Sequence, residues 1–470
     1  MNISRYPLCL LTVAAFVSLS RAPAYATEYF ICNKPGGGTG TEADPFGRAD
    51  LPPADDMYSE GKALSALQPG DTLTFLPGTY ELRTSNATVF GYIRPARSGT
   101  ADKPITLRAQ PGGRVVLRSV SGTQGVLGTV KIHGWKGLDY IRFHGFIIEC
   151  RLPFDKKSNP ELNGIRLQGK NNEVGWCSFR GQYLPTTNNF DGIRVEHAVG
   201  ARIHHNEIVG WKGDHWNAVG IKVYTSDNCV FEDNYVHDNH TGIFDKDAAA
   251  GNVYRRNYVT GNTALAFLGS NQTAAGRADA QYFVYENVLD GPVNLLTLSR
   301  GIEFHDNLLL HPPAVSDHAG YVLYASGGKV YQTKAWNNVS IAKRPKLTGY
   351  AIDLTPWSTA APKNPLEYCD HNVYDGTPDY RFGRWGGKPQ EIFNLEQMRS
   401  LGFEKDAKVV SSMHEVYEDE KGYKLKPQWL TAGRNQDPVG PDDVATILDR
   451  SRYGPLAMRA PAGAVEPAVK

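Results

Sequence analysis

A short pattern recurs through the middle of the chain: an asparagine followed by two largely apolar residues, as in EDNYV and RRNYV. The seven asparagines in this context are Asn206, Asn234, Asn257, Asn287, Asn307, Asn338 and Asn372. Their intervals of 28, 23, 30, 20, 31 and 34 residues exclude a heptad, but each matches one supersecondary unit that must stack on its neighbours to bury a core. The chain is therefore expected to form a solenoid.

The segments between these asparagines indicate the kind of solenoid. They are short, rich in Val, Ile, Tyr and Phe, and bounded by Gly, Asn and Asp, which is typical of strands joined by turns. A coil of parallel strands also explains the asparagine, which tolerates a left-handed corner and can hydrogen-bond to the equivalent asparagine one turn away. We predict an all-β fold, a right-handed parallel β-helix.

The ends of such a coil need separate elements, because an open end exposes unpaired strand edges. MYSEGKALSALQPGD predicts an N-terminal capping helix over about residues 57–67, and EIFNLEQMRSLGF predicts a helix after the last asparagine. We expect a signal peptide over residues 1–26, the β-helix domain with its cap over residues 27–410, and a C-terminal closing segment with an irregular tail over residues 411–470.

The first 26 residues place one arginine before an apolar run and end in Ala-Tyr-Ala, the pattern of a cleavable signal peptide. Cleavage near Ala26 predicts a secreted or periplasmic protein, and no later apolar run predicts a membrane span. The remaining 48 basic and 49 acidic side chains nearly balance, which gives no reason to expect a nucleic-acid partner. The five remaining cysteines lack CxxC spacing and are expected to be mostly buried thiols, with a bridge at Cys32 left open.

Several segments have a wider resemblance: DPFGRAD, QPGDTLTFLPGTY, ADKPITLRAQPGGRVVL and the rungs with asparagine corners. Over about residues 28–430 the chain resembles secreted right-handed β-helix proteins that act on carbohydrates, especially polysaccharide lyases of the chondroitinase B and alginate lyase type. In those lyases a lysine on a central rung is the base, an arginine on the next rung assists, and acidic and amide side chains hold calcium. The resemblance implies that Lys246 is the base, although the next rung, ALAFLGSN, carries no arginine.

Four segments begin with Gly-Ile and align by that glycine: GIRLQG, GIRVEH, GIKVYT and GIFDKD. Strand side chains alternate between faces, so if the isoleucines point into the coil, the following residues point out. One outward column is then Arg166, Arg194, Lys222 and Phe244, and the next is Gln168, Glu196, Tyr224 and Lys246. Stacked like charges are unfavourable, which favours a groove for an anionic polymer. The alternative is an ordinary surface network that Glu196 and Asp191 neutralise.

These residues suit β-elimination from a uronic acid, which needs a base, a stabilised carboxylate and an acid for the departing oxygen. We assign Lys246 as the base, Arg194 and Lys222 to the carboxylate, and Tyr224 to the leaving oxygen. Substrate contacts are expected from Arg166, Glu196, Gln168, His215 and His240. Asp245 and Asp247 are expected to turn outward, where they orient Lys246 or bind calcium.

Other interpretations stay open at this point. Asp245 and Asp247 can form the carboxylate pair of a glycoside hydrolase. A C5-epimerase has the same fold, although its Asp-Pro-His-Asp motif is absent, and a non-catalytic glycan-binding surface protein would use the same columns. His204 and His205 precede Asn206 at a corner and are expected to be structural, and the histidines show no zinc-ligand spacing. The expected partner is an anionic polysaccharide, bound by a monomer.

Overall fold

The computed structural model describes most of the chain, and the structural statements below concern that part. The described ranges are 26–51, 61–83, 93–121, 127–128, 137–150, 162–185, 189–246, 250–271, 281–297, 302–311, 323–326, 333–342, 350–354, 366–375, 381–385, 392–419, 423–455 and 457–459. The predicted signal peptide lies outside them except for Ala26. Within these ranges no helix has both the length and the apolar character needed to cross a membrane.

The strands form three long sheets, sheet 1, sheet 2 and sheet 3, which the chain visits in that order on successive turns. Sheet 1 contains Glu28–Ile31, Thr72–Phe75, Ile105–Ala109, Ile141–His144, Glu173–Gly175, Arg202–His204, Val230–Glu232, Asn252–Arg255, Tyr282–Tyr285, Ile302–His305, Thr333–Trp336 and Leu366–Asp370. Sheet 2 contains Gly78–Arg83, Val115–Ser121, Ile147–Cys150, Ser178–Arg180, Glu207–Val209, Tyr235–His237, Tyr258–Thr260, Val288–Asp290, Leu308–His311, Val339–Ala342, Val373–Asp375 and Lys408–Val410.

Sheet 3 carries the Gly-Ile segments singled out in the sequence. It contains Leu127–Gly128, Leu162–Lys170, Phe190–Val199, Ala218–Tyr224, Thr241–Lys246, Leu265–Asn271, Val293–Thr297, Leu323–Ser326, Tyr350–Leu354, Arg381–Trp385 and Ile392–Phe393. All neighbouring strands pair in parallel except the last two, which are antiparallel. A small separate sheet pairs Tyr183–Leu184 with Lys212–Gly213. The architecture confirms the predicted right-handed parallel β-helix.

The core fills the inside of the coil because every second strand residue points inward. Ile193, Ile221 and Ile243 pair across three neighbouring strands and are buried, as the alignment of the Gly-Ile segments predicted. On sheet 1 the rings of Phe231 and Tyr254 stack with their centroids 4.7 Å apart. Stacking the same kind of side chain on each turn keeps apolar area continuously buried along the coil.

The cysteines behave mainly as small core residues. Cys150, Cys177, Cys229 and Cys369 are buried, and Cys32 is partly exposed. All five are free thiols, so the described part of the chain contains no disulfide bridge at Cys32.

The repeated asparagines form a continuous hydrogen-bonded ladder at the corner between sheet 1 and sheet 2. From Asn206 to Asn372, the side-chain amide of each asparagine donates to the Oδ1 atom of the next at 3.0 Å. Each of these Oδ1 atoms also accepts the backbone N–H of the asparagine one turn before it. The predicted stacking of the asparagines is confirmed, and it leaves these buried polar groups satisfied.

The prediction that these asparagines adopt the left-handed conformation is wrong. The residue before each one takes the positive φ, with values between 50° and 58° for six of the seven. These preceding residues are His205, Asp233, Arg256, Glu286, Asp306, Asn337 and His371, and Arg256 has φ 49°. The turn therefore completes before the asparagine, which leaves the asparagine side chain free to point along the ladder.

The ladder ends on a carboxyl group. Asn372 donates to Glu404 Oε1 at 3.0 Å, and the hydroxyl of Tyr374 donates to the same atom at 2.6 Å. Glu404 is fully buried, and burial raises its pKa. Glu404 follows helix α2, Leu395–Ser400, which begins at a capping box formed by Asn394 and Gln397. This helix confirms the prediction made from EIFNLEQMRSLGF.

The N-terminal cap is the short helix α1, Gly61–Ala66. Ala63 and Leu64 on this helix, together with Leu67, belong to the core cluster of the coil. The predicted helix is confirmed over these six residues, and its predicted start at residues 57–60 lies outside the described ranges.

The C-terminal segment returns along the outside of the coil. It contains helix α3, Val444–Leu448, and the 3₁₀ turns Met413–Glu415, Pro427–Trp429, Arg434–Gln436, Arg450–Arg452 and Ala457–Arg459. The 3₁₀ turn Arg48–Asp50 lies near the N-terminus instead. Gly440 donates to the carbonyl of Asn337 at 2.6 Å, and Gly454 donates to that of His205 at 2.8 Å. Asn337 and His205 are left-handed corner residues, so the segment covers the corner beside the asparagine ladder.

Candidate functional site

The candidate site lies on the outer face of sheet 3, where four neighbouring strands bring the Gly-Ile segments together. Arg194 pairs with Arg166 on one side and Lys222 on the other, and Lys222 pairs with Phe244. The first predicted column therefore exists in the predicted order. In the second column Glu196, Tyr224 and Lys246 are in register.

Gln168 does not join the second column in direct register. The pairing of Leu162–Lys170 with Phe190–Val199 shifts after Val195. Glu196 and His197 together therefore lie opposite the single residue Gln168. His197 takes a φ of 51° at this irregularity. A bulge of this kind turns side chains away from the regular alternation, which the alignment by glycine alone did not anticipate.

The first column is buried, contrary to the expectation of an exposed basic surface. Arg166 is 7% exposed, Arg194 5% and Lys222 0%. Buried cations require partners, because removing a charge from water costs several kcal/mol. The positions of the nearby carboxylates show how this column is accommodated.

Glu196 and Asp191 neutralise part of the column. Glu196 Oε2 accepts a hydrogen bond from Arg166 Nη2 and lies 3.2 Å from Arg194 Nε. Asp191 lies 3.7 Å from Arg194 Nη1 and 3.8 Å from Lys222 Nζ. The alternative prediction, in which Glu196 and Asp191 neutralise the column, is thus correct about which residues pair. It is wrong about their location, because the network is buried rather than on the surface.

Two asparagines missed by the sequence interpretation hold the centre of the cluster. Asn189 Oδ1 accepts hydrogen bonds from Lys222 Nζ at 2.6 Å and from the Tyr224 hydroxyl at 3.0 Å. Asn217 Oδ1 accepts a second hydrogen bond from Lys222 Nζ at 3.0 Å. Both asparagines come directly before apolar residues that begin strands of sheet 3, in NNFDG and HWNAVG. A polar residue at the start of a strand is the one feature of the sequence that could have identified them.

Tyr224 lies among three cations. Its ring centroid is 4.6 Å from Arg194 Cζ, 5.3 Å from Lys222 Nζ and 5.2 Å from Lys246 Nζ. The negative face of an aromatic ring attracts cations at such distances. Lys246 and Tyr224 are only half buried, so they form the accessible edge of an otherwise buried cluster.

Asp191 is the most perturbed acid of this cluster. Burial raises its pKa to about 7, although the charge of Lys222 acts in the opposite direction. Neither carboxylate oxygen has a hydrogen-bond partner among the described residues. A carboxyl group in this state exchanges its proton near neutral pH, a property that is typical of functional sites.

His215 and His240 lie beside the cluster, as their proximity in sequence suggested. Burial, followed by the charges of Lys222 and Lys246, lowers the pKa of His215. Burial, followed by the charge of His215, lowers the pKa of His240. Both imidazoles are therefore neutral at pH 7. The structure thus brings Lys222, Lys246 and His215 within electrostatic range of one another.

An exposed aromatic side chain lies at the same edge. The indole of Trp216 is 51% exposed, and its ring centroid is 5.1 Å from that of His215. Tyr183 is also exposed and donates a hydrogen bond to Asp214, the residue before His215. An exposed aromatic ring of this kind can stack on the apolar face of a ligand.

Asp245 does not turn outward as predicted. It pairs with the buried Val223 and with Gly269, and it points into the coil. The Tyr254 hydroxyl donates to Asp245 Oδ2 at 2.5 Å, and the Asn252 amide donates to the same atom at 3.3 Å. These donors meet the cost of burying a carboxylate, which was the reason for expecting it outside.

The inward position of Asp245 also bears on calcium and on hydrolysis. Calcium requires several converging oxygen ligands. Among the described residues of the cluster, Asp191 and Glu196 face cations and Asp245 is enclosed in the core, so these residues do not fit a calcium ion. Asp245 likewise cannot act as one of a pair of exposed hydrolytic carboxylates. Asp247 lies outside the described residues.

The fold places the chain in the class of right-handed parallel β-helix proteins, with a net positive polar cluster on sheet 3. A family model described as a right handed beta helix region matches residues 155–277. No curated protein sequence matches the chain.

Several solved structures are similar to this chain at low sequence identity. XylC in complex with xylose is 12% identical, with 77% of this chain and 87% of that chain covered and a TM-score of 0.46. Pectate lyase Pel9A is 13% identical, with coverages of 90% and 96% and a TM-score of 0.46. The PL6 family alginate lyase AlyGC is 14% identical, with coverages of 81% and 56% and a TM-score of 0.46. These similarities assign no activity to this chain.

Proposed function

We propose that the protein is an exported polysaccharide lyase that cleaves an anionic, uronate-containing polysaccharide by β-elimination. The observation that carries the proposal is that four neighbouring strands bring together Arg166, Arg194, Lys222 and Lys246, with only two carboxylates, Asp191 and Glu196, between them. A cluster with this excess of positive charge attracts anions. Its accessible edge carries side chains suited to proton transfer.

The reaction needs three actions on the uronate. A base removes the proton at C5, beside the carboxylate, and the resulting electron pair forms the C4–C5 double bond. The bond from C4 to the glycosidic oxygen breaks, and an acid protonates that oxygen. Negative charge grows on the carboxylate during this process, so nearby fixed positive charge lowers the barrier.

Lys246 is proposed as the base and Tyr224 as the acid. Both are half buried at the edge of the cluster, on adjacent turns, and in direct register. A substrate lying across sheet 3 would contact these two side chains first. The neutral imidazole of His215 is a second candidate for the base, since burial and two neighbouring cations lower its pKa.

Lys222 and Arg194 are proposed to act through their charge rather than by direct contact with the whole sugar. Lys222 is fully buried and held by Asn189 and Asn217. A preorganised charge in a site sheltered from water stabilises the developing anion more than an exposed one does. Glu196, which also accepts a hydrogen bond from Arg166, then holds Arg194 in place.

Sugar binding is proposed to use the aromatic edge next to the cluster. The exposed indole of Trp216 can stack on the apolar face of a pyranose ring, while His215 and His240 contribute hydrogen bonds. Gln168 lies one turn beyond Glu196 and is proposed to contact a neighbouring sugar.

The first test is an absorbance assay. The full mature chain is incubated separately with alginate, pectate and chondroitin, and the absorbance of the unsaturated uronate at the new chain end is followed. We expect an increase with one of these glycans. New reducing ends without a rise in absorbance would show that the protein is a hydrolase rather than a lyase. Glycan binding without any product would show that the protein binds the glycan without cleaving it.

The variant Lys246→Met tests the assigned base. It keeps the length of the side chain and removes its amine, and we expect the elimination rate to fall by about 10²-fold or more. Lys170→Met is the matched control, because Lys170 is an exposed lysine on the same sheet. Equal rates for the two variants would exclude Lys246 as the base.

A further inference from the structure

A second cluster of chemically active side chains lies on sheet 1, away from the site on sheet 3. His144, Glu173 and His204 come from three successive strands, Ile141–His144, Glu173–Gly175 and Arg202–His204. The Nε2 atom of His144 and the Nε2 atom of His204 each lie 3.0 Å from Glu173 Oε1. One carboxylate oxygen therefore faces two imidazole nitrogens.

The local backbone makes room for this convergence. His144 and His204 both pair with Gly175, which lies between them in the sheet. A Cβ atom at position 175 would come within 2.7 Å of His204 Cε1 and 2.8 Å of His204 Nε2. The absence of a side chain at Gly175 thus lets the ring of His204 lean across its neighbour toward Glu173.

Neighbouring side chains contact all three groups and fix their orientation. His204 is 1% exposed, and its Nδ1 atom lies 3.0 Å from His205 Nδ1, so one of the two rings donates to the other. The indole of Trp176 packs edge-on against His144 and His204, with centroid distances of 5.2 and 4.6 Å. Arg142 Nε lies 3.2 Å from the other carboxylate oxygen of Glu173.

This arrangement is typical of a metal site rather than of three independent side chains. Metal-bound histidines usually form a hydrogen bond through their second ring nitrogen, and ligating carboxylates are themselves hydrogen-bonded. His205 and Arg142 occupy those supporting positions. The contacts leave the Nε2 atoms of His144 and His204 both facing Glu173 Oε1.

The distances also fit. The ligand atoms of the three residues all lie within 4.8 Å of one another. Tetrahedral zinc with ligands at about 2.0–2.2 Å spaces its ligand atoms roughly 3.4 Å apart. An expansion of roughly 0.4 Å from the 3.0 Å separations is needed, which rotation of the partly exposed His144 ring and Glu173 carboxylate can supply.

We propose that His144, Glu173 and His204 bind a divalent transition metal ion such as Zn²⁺. Two imidazoles and one carboxylate are a common ligand set for zinc and leave a fourth position for water or another ligand. His144 and Glu173, with side chains 15% and 18% exposed, form the accessible side at which that position opens. The ion would fasten three successive turns of the coil together.

The site lies close to the C-terminal segment. Gly454 donates to the carbonyl of His205, the residue behind His204, at 2.8 Å. Met458 lies against Gly145, the residue after His144. Metal binding is thus expected to stabilise the packing of this segment as well as the turns themselves.

The proposal is tested with the full mature chain after removal of metals by a chelator. Zn²⁺ is titrated with calorimetry, and Co²⁺ is titrated with visible absorption as a probe of the ligand geometry. We expect one equivalent of each ion at this site, the visible bands of a nitrogen- and oxygen-ligated Co²⁺, and a rise in the thermal midpoint on adding Zn²⁺.

His144→Gln is the first variant because His144 is the more accessible histidine, and Glu173→Gln is the second. Each is expected to weaken Zn²⁺ binding at least about 10-fold and to abolish the Co²⁺ bands. His371→Gln is the control, since His371, Asp370 and Asp406 form a separate group with longer separations of 3.9 Å. Wild-type protein without bound Zn²⁺, or binding lost only in the control variant, would overturn the proposal.

Discussion

Lys246 and Tyr224 lie side by side on neighbouring turns of sheet 3, with Lys246 Nζ 5.2 Å from the centroid of the phenol ring. Behind them the cations of Arg194 and Lys222 also face that ring. The pair thus places an amine and a phenol side chain at the half-buried edge of a group of buried cations. The consequences of this arrangement can be measured.

Tyr224→Phe removes the hydroxyl and keeps the ring that contacts the three cations. If Tyr224 protonates the leaving oxygen, kcat should fall by about 10²-fold or more, with little change in KM or in folding. The measurement is steady-state absorbance on the glycan identified in the first assay. Tyr258→Phe, at a half-buried tyrosine on sheet 2, should retain full kcat. A Tyr224→Phe enzyme with unchanged kcat would remove the acid role.

Trp216→Ala tests the proposed contact with a sugar ring. Because the indole is half exposed, the free energy of unfolding should change by less than about 0.5 kcal/mol. Loss of stacking should raise KM by about 2–10-fold, equivalent to the 0.5–1.5 kcal/mol typical of aromatic contacts. Trp216→Phe should restore most of the binding. An unchanged KM for the alanine variant would show that the substrate lies elsewhere.

Asp191 makes the stability of the protein depend on pH. Its pKa is about 7 in the folded state, well above the ordinary value near 3.8, so the folded state retains a proton that the unfolded state has lost. Stability should therefore decrease as the pH rises from about 4 to 7, by up to about 1.4 kcal/mol per pH unit.

Asp191→Asn should flatten the stability curve in that window, as measured by urea unfolding at several pH values. The exposed carboxylate of Asp406 provides a control, and Asp406→Asn should retain the slope of the wild type. Parallel curves for the wild type and Asp191→Asn would show that Asp191 titrates normally.

Asn257→Asp tests the asparagine ladder. Asn257 donates to the carbonyl of Phe231 and to Asn287 Oδ1, and an aspartate would place a negative charge against both acceptors. We expect a loss of about 3 kcal/mol or more, smaller at acidic pH where the new carboxyl is protonated. Asn228→Asp, at an exposed corner with φ 55°, should change stability little. Similar unfolding midpoints for both variants would contradict the ladder's contribution.

Asp245→Ala distinguishes a core carboxylate from a metal ligand. Removing the acceptor of the Tyr254 hydroxyl and the Asn252 amide should lower the free energy of unfolding by about 1–3 kcal/mol. The loss should be the same with calcium and with a chelator, because the group faces the core. If the difference in unfolding free energy between wild type and variant depended on calcium, Asp245 would be a calcium ligand after all.

The asparagine repeat and the alternation of apolar residues determined the fold without reference to any structure. Asn206 to Asn372 recur at intervals that only a stacked coil can accommodate, and Ile193, Ile221 and Ile243 identify the inward face. The same alternation predicted that Arg194, Lys222 and Lys246 share one face of sheet 3. Local periodicity is sufficient for these conclusions because it is a property of the strand itself.

Burial and partners were decided by the tertiary structure. The sequence pattern predicted Arg194 and Lys222 on an outer face but could not show that Asp191, Asn189 and Asn217 close around them. It wrongly predicted that Asp245 turns outward, because the hydroxyl of Tyr254, from the next strand along the chain, makes the inward position of this carboxylate acceptable. His144, Glu173 and His204 are 29 and 31 residues apart and meet only because three turns stack. Contacts between turns depend on register and on bulges, and these are set by the packing of the whole coil.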